Sequence, residues 1–114
     1  MWAITQDGFV SAVAHREQPG ALMVRARDAQ SLQQLAAQTG AAIVATAHAD
    51  YPYRVTVTKS QFAAWMTEAV ESVDYDNFKS RAVRTRGTRY ARALHKVWDT
   101  MHDIEDDNAR NAQE

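Results

Sequence analysis

Apolar and polar positions alternate along the first half of the chain and recur at helical spacing along the second. Residues 9–14, Phe-Val-Ser-Ala-Val-Ala, follow Asp7-Gly8. That dipeptide suits a tight hairpin, because both central positions of a primed turn need positive φ. Pro19-Gly20 marks the next turn. Over residues 22–27, Leu22, Val24 and Ala26 face one side and Met23, Arg25 and Arg27 the other, which predicts a half-buried strand. Asp28 is suited to an N-cap, Leu32, Leu35 and Ala36 form a short apolar stripe, and Gly40 is suited to ending the helix. This first helix is thinly apolar and is expected on the surface of the sheet. Residues 42–46 and 53–58 predict a further strand pair, with Tyr53, Val55 and Val57 on one side. Pro52 cannot donate to a ladder and belongs at a strand start or an edge.

The second half is helical. Thr58-Lys59-Ser60-Gln61 has the capping-box pattern, and Phe62, Trp65, Met66, Ala69, Val70 and Val73 then recur at helical spacing. This is the strongest periodic signal and predicts the main core helix, over residues 58–73. Asp74-Tyr75-Asp76-Asn77 interrupts it, and Asp76 or Asn77 can cap a short helix carrying Phe78, Ala82 and Val83. Gly87 ends that helix and Thr88 is expected to cap the next, whose buried stripe would be Tyr90, Leu94, Val97, Trp98, Met101 and Ile104. The order of strands, helix, strands and helices predicts an α+β domain over residues 1–106 with a polar, frayed tail at 107–114. A small antiparallel sheet would carry the 58–73 helix on one face, with the last helices packed beside it. A ferredoxin-like arrangement is the simplest expectation, with an extra leading hairpin and an extra C-terminal helix.

Composition narrows the setting. The chain has 114 residues, 46% of them apolar, which suits one folded domain. It lacks cysteine, so disulfides and thiolate metal sites are excluded. No window approaches the ~20 apolar residues of a membrane span, and the first residues have no basic leader, so a cytoplasmic location is expected.

Charge changes the picture more. The formal net charge is -1, yet seven of the 13 Lys and Arg residues lie in positions 79–96, with no acid among them. They are Lys79, Arg81, Arg84, Arg86, Arg89, Arg92 and Lys96. Arg89, Arg92 and Lys96 share one helical face, opposite the apolar stripe. They lie toward the N-terminal end of their helix, while Asp99, Asp103, Glu105, Asp106 and Asp107 crowd its C-terminal end. The helix dipole prefers the reverse, so helix stability does not explain the placement. A solvated face, or pairing with Asp74, Asp76 and Asp99, is the plainer reading. The sharper one is contact with nucleic acid or an acidic protein surface.

Other constellations are weaker. Tyr51 and Tyr53 flank Pro52 beside Arg54, a combination that suits a stacking platform or a protein hot spot, or tyrosines that close the end of the core. Arg25, Arg27 and Arg54 would extend the basic surface if the polar side of the sheet is open. His95, Asp99 and His102 lie at i, i+4 and i+7, a spacing a divalent metal could use, yet no fourth ligand is evident. His95 with Arg92 and Asp99, or Tyr51 with Arg54 and His48, can be drawn as a small nuclease-like site, but neither has a spacing its chemistry requires. There is no phosphate loop, nucleophile elbow or cofactor motif, so neither an enzyme nor a bound cofactor is expected.

Several pieces together resemble one family: Trp2, Gly8-Phe9, residues 22–27, Asp50-Tyr51-Pro52-Tyr53-Arg54, Asp74-Tyr75-Asp76-Asn77-Phe78-Lys79, Gly87 and Val97-Trp98. They are similar to small uncharacterised proteins of bacteriophages, prophages and bacterial chromosomes, over residue 1 to about Asp103. The resemblance implies no catalytic residues. It implies a phage or mobile-element setting, where small proteins bind a host protein or help regulate the phage genome. The expected function is a non-enzymatic binding module, docking through Arg81, Arg84, Arg86, Arg89, Arg92 and Lys96, aided by Tyr51, Tyr53 and Arg54. The alternative is an inhibitor of a host defence complex, anti-CRISPR-like in role, with the acidic helix end imitating phosphates. Open strand edges and the thin first helix leave room for a homodimer.

Overall fold

The computed structural model describes residues 1–75 and 78–105. Their contacts group into two compact units, Met1–Asp76 and Asn77–Glu114, where the sequence reads as one domain over 1–106. The expected cap at Asp76 or Asn77 and the tail at 107–114 lie outside the described residues. No helix among the described residues is long and apolar enough to cross a membrane.

The first unit is α+β. Strands β1 (Trp2–Thr5), β2 (Gly8–Ala14), β3 (Ala21–Ala26), β4 (Val44–Ala45) and β5 (Tyr53–Thr58) form one antiparallel sheet in the order β1-β2-β3-β5-β4. Helices α1 (Gln30–Thr39) and α2 (Lys59–Glu71) pack on one face of it. Because β5 inserts between β3 and β4, the run β3-α1-β4 is a split βαβ unit. The chain departs from the ferredoxin-like order in having no described strand after α2; β2, which precedes β3, flanks it instead.

The turn chemistry explains where strands begin. Thr5 pairs with Gly8, so Gln6 and Asp7 form the hairpin loop, not Asp7-Gly8 as expected. Gly8 starts β2 at φ 139, and the Asp7 N–H donates to Thr5 Oγ1 at 3.1 Å. At the next turn Gly20 has φ 82, and His15 Nδ1 accepts from the N–H groups of Glu17 and Gln18. β4 is shorter than residues 42–46, and the Thr46 N–H donates to the Pro52 carbonyl at 2.7 Å, in line with the pairing of β4 and β5, before the loop closes.

The helix ends follow the sequence closely. Asp28, expected as the N-cap of α1, stands one residue before the N-cap Ala29, yet its Oδ1 accepts from both the N–H and the hydroxyl of Ser31 and so orders the start of the helix. Gly40, at φ 75, ends that helix by donating to Ala36. At α2 the capping box is complete: Gln61 N–H donates to Thr58 Oγ1 at 3.0 Å, and Thr58 N–H donates to Gln61 Oε1 at 2.8 Å. Thr58→Ala removes the side-chain acceptor and is expected to cost about 1 kcal/mol. Urea denaturation checks this, and an unchanged midpoint would rule the cap out as a stabiliser.

Both helices on the sheet contribute to the core, and α1 contributes more than its thin stripe suggests. Leu32 and Leu35 of α1 are both 0% exposed and pack with Val10, Val24, Ala26, Val55 and Val57. α2 buries only Phe62 and Trp65, while Val70 near its C-terminal end is 65% exposed and Val73 beyond it is also exposed. Two leucines at i, i+3 suffice for α1, because they land on the small and β-branched middle of the sheet.

The second unit is a helical hairpin, α3 (Phe78–Arg86) and α4 (Thr88–Met101), closed by a 3-10 turn at His102–Ile104. Gly87, at φ 88, donates to Val83 to end α3 and is itself the N-cap of α4, a role expected for Thr88. The expected buried stripe of α4 is largely exposed. Only Ala91 is buried; Tyr90 and Leu94 are half-buried, and Val97, Trp98, Met101 and Ile104 are exposed. α3 offers Ala82 as its one buried position among the described residues, which is too narrow a surface to cover the stripe.

Candidate functional site

The basic segment divides into two groups. Arg84, Arg89, Arg92 and Lys96 are exposed, and none forms an ion pair with a described residue. Arg81 and Arg86 are half-buried; the Arg86 guanidinium lies over the Tyr90 ring at 3.7 Å, an attraction of the cation to the π face. Lys79 and Arg81 are both engaged in other interactions. Arg84 and Arg86 end α3, where the dipole favours them, whereas Arg89 and Arg92 occupy the start of α4, where it does not. The exposed cations at the start of α4 are therefore held against that helix's own electrostatic preference.

The apolar side of the hairpin holds a cavity of about 250 Å³, lined by Phe78, Lys79, Ala82, Leu94, His95 and Trp98 among others. Small-molecule sites run from about 300 Å³ upward, so this cleft suits a side chain better than a metabolite. Trp98 organises its rim. The His95 ring stacks on it at 5.1 Å, and His102 meets it edge-on at 4.5 Å. Both imidazoles thus pack on Trp98, away from the arrangement a metal at His95, Asp99 and His102 would need. No group of three metal-ligating side chains occurs among the described residues. His102 Nδ1 also lies 3.4 Å from Glu105 Oε2, so part of the acidic helix end is tied to its own helix.

In the first unit the structure separates the two tyrosines. Tyr53 is half-buried on the helix side of the sheet and packs against the core, on the face opposite Arg54. Tyr51 is buried, with the guanidinium of Arg25 at 4.7 Å and that of Arg27 at 4.5 Å from its ring. Arg54 lies on the opposite face of the sheet from the helices and donates to the Tyr51 carbonyl at 3.4 Å and weakly to Met23 Sδ at 3.6 Å. Arg25 donates to Ser11 Oγ at 2.8 Å. Asp50, 3.4 Å from Arg27, pairs at the exposed rim of this group. Two guanidiniums, those of Arg25 and Arg27, thus lie against one buried phenol ring while Arg54 reaches the backbone of the same residue, a grouping the alternation of residues 22–27 hints at but cannot assemble. The missing signal is register: Arg25 stands directly opposite Arg54, and Ser11 directly opposite Arg25. No family model matches this chain, and neither does any curated protein or solved structure.

Proposed function

We propose that this protein is a non-enzymatic binding module that holds the phosphate backbone of a nucleic acid through its C-terminal helical hairpin. The observation that carries this is the set of four exposed cations, Arg84, Arg89, Arg92 and Lys96, with no ion pair to a described residue. At 1.5 Å rise per residue, Arg89 and Lys96 lie about 10 Å apart along α4. That length matches about three phosphate steps along one DNA strand. Phosphates would supply the anions that the α4 N-terminal half lacks, and offset the unfavourable dipole placement. The setting we infer is a phage or other mobile element, on the strength of the pieces between Trp2 and Trp98 that resemble such proteins.

A fluorescence-anisotropy titration with labelled DNA and RNA tests the reading. Four phosphate contacts predict about a hundredfold loss of affinity between 50 and 200 mM salt. Binding that ignores salt, or no binding at low salt, contradicts it.

A further inference from the structure

The face of the sheet away from α1 and α2 carries a row of side chains that the strand register sets side by side. Trp2 stands opposite Ser11, Ser11 opposite Arg25, and Arg25 opposite Arg54, across β1, β2, β3 and β5. Directly opposed residues point to the same face, and neighbouring strands are about 4.8 Å apart, so Trp2 and Arg25 are about 10 Å apart at their backbones. Like charges directly opposite one another are unfavourable, and no carboxylate lies between Arg25 and Arg54 among the described ion pairs. The Nε–H groups of both are buried and find no acceptor among the described residues. Arg25 and Arg27 lie on the Tyr51 ring and Arg54 on its carbonyl, and among the described ion pairs only the rim carboxylate of Asp50 answers their charge. Ser11 Oγ, the Tyr51 ring and the Tyr51 carbonyl compensate the guanidiniums only in part, because none of them carries the opposite charge, and the charge left over suits an anionic ligand.

Trp2 says what else the ligand carries. It is 73% exposed, and its ring packs against Phe9 at 5.6 Å, which steadies the indole at the edge of the row. An exposed indole beside guanidiniums on a flat sheet suits a chain that offers flat π faces and anions in alternation. A single-stranded nucleic acid does this, whereas a duplex hides the faces of its bases. We infer that the open face of the sheet is a second contact, one that takes single-stranded nucleic acid: an unpaired base stacks on Trp2 while Arg25 and Arg54 hold a neighbouring phosphate. Tyr51, buried under two guanidiniums, fixes their positions and does not itself stack on a base. The inference shares the nucleic-acid reading of the helical hairpin but rests on different residues.

The test titrates a labelled oligothymidine single strand and a labelled mixed-sequence duplex against the wild-type chain, Trp2→Ala, Arg25→Gln/Arg54→Gln and Arg89→Glu/Arg92→Glu. Circular dichroism accompanies each variant as a check of folding. Trp2→Ala and the Arg25/Arg54 double variant are each expected to lose about tenfold or more in single-strand affinity, with duplex affinity unchanged. Trp2 is exposed, so its removal leaves the core intact even if the arginine variant folds poorly. Unchanged single-strand affinity in Trp2→Ala overturns the inference. If Arg89→Glu/Arg92→Glu still weakens binding in that case, the helical reading stands alone. If instead Trp2→Ala weakens single-strand binding and the helical variant does not, the sheet site stands and the helical reading falls.

Discussion

Replacing Arg89 and Arg92 together with glutamate is expected to abolish nucleic-acid binding while leaving the protein folded. Both residues are exposed on α4 and share a face with Lys96. The double change converts two cations of a four-cation surface into anions, so the remaining Arg84 and Lys96 face phosphates beside two repelling carboxylates. Helix stability moves the other way. Arg89 lies in the first turn of α4 (Thr88–Met101), where an anion is favoured by about 0.3–1 kcal/mol, and Arg92 follows just beyond it. A variant that binds worse and melts no lower therefore cannot be dismissed as unfolded. Anisotropy and thermal denaturation of the same samples read both effects. Unchanged affinity would remove the helical hairpin from the account.

The second large effect is on stability. Leu32→Ala is expected to cost about 2–5 kcal/mol, against a total of roughly 5–15 kcal/mol for a domain of this kind. Leu32 is 0% exposed and packs into the middle of the sheet, so its removal leaves a cavity that the strands cannot close. Val70→Ala is the matched control. Its side chain belongs to the stronger periodic signal in the sequence, yet it is 65% exposed, and its truncation is expected to change stability by about 0.5 kcal/mol or less. Chemical denaturation of the two variants should reverse the order that hydrophobic periodicity alone suggests. Equal losses would mean that the second half of α2 is covered in the folded protein.

That reversal shows what the amino-acid pattern conveys and what it omits. Local chemistry was legible: the capping box at Thr58 and Gln61, the glycine stops at Gly40 and Gly87, and the alternation of β3 all follow from neighbours in sequence. Periodicity tells which residues share a face, as on α4, but not whether anything covers that face. Trp98 and Met101 keep the spacing of a core stripe and remain 59% and 54% exposed. α1 errs in the opposite direction, since two leucines are enough when the surface beneath is flat. The basic face of the hairpin was legible because its charges are close in sequence. The guanidinium group around Tyr51 was not, because it needs β3 to pair with β5 across the α1 connection. Tyr53 and Arg54 are neighbours in sequence, yet the strand sends them to opposite faces.

The most direct measurement is the slope of log affinity against log salt for one labelled DNA duplex, compared between the wild-type chain and Arg89→Gln/Arg92→Gln. Each lost phosphate contact removes about one unit of slope, so the account predicts a slope shallower by about two in the variant. Equal slopes for the two proteins would mean that these arginines release no counterions, and would contradict the central claim.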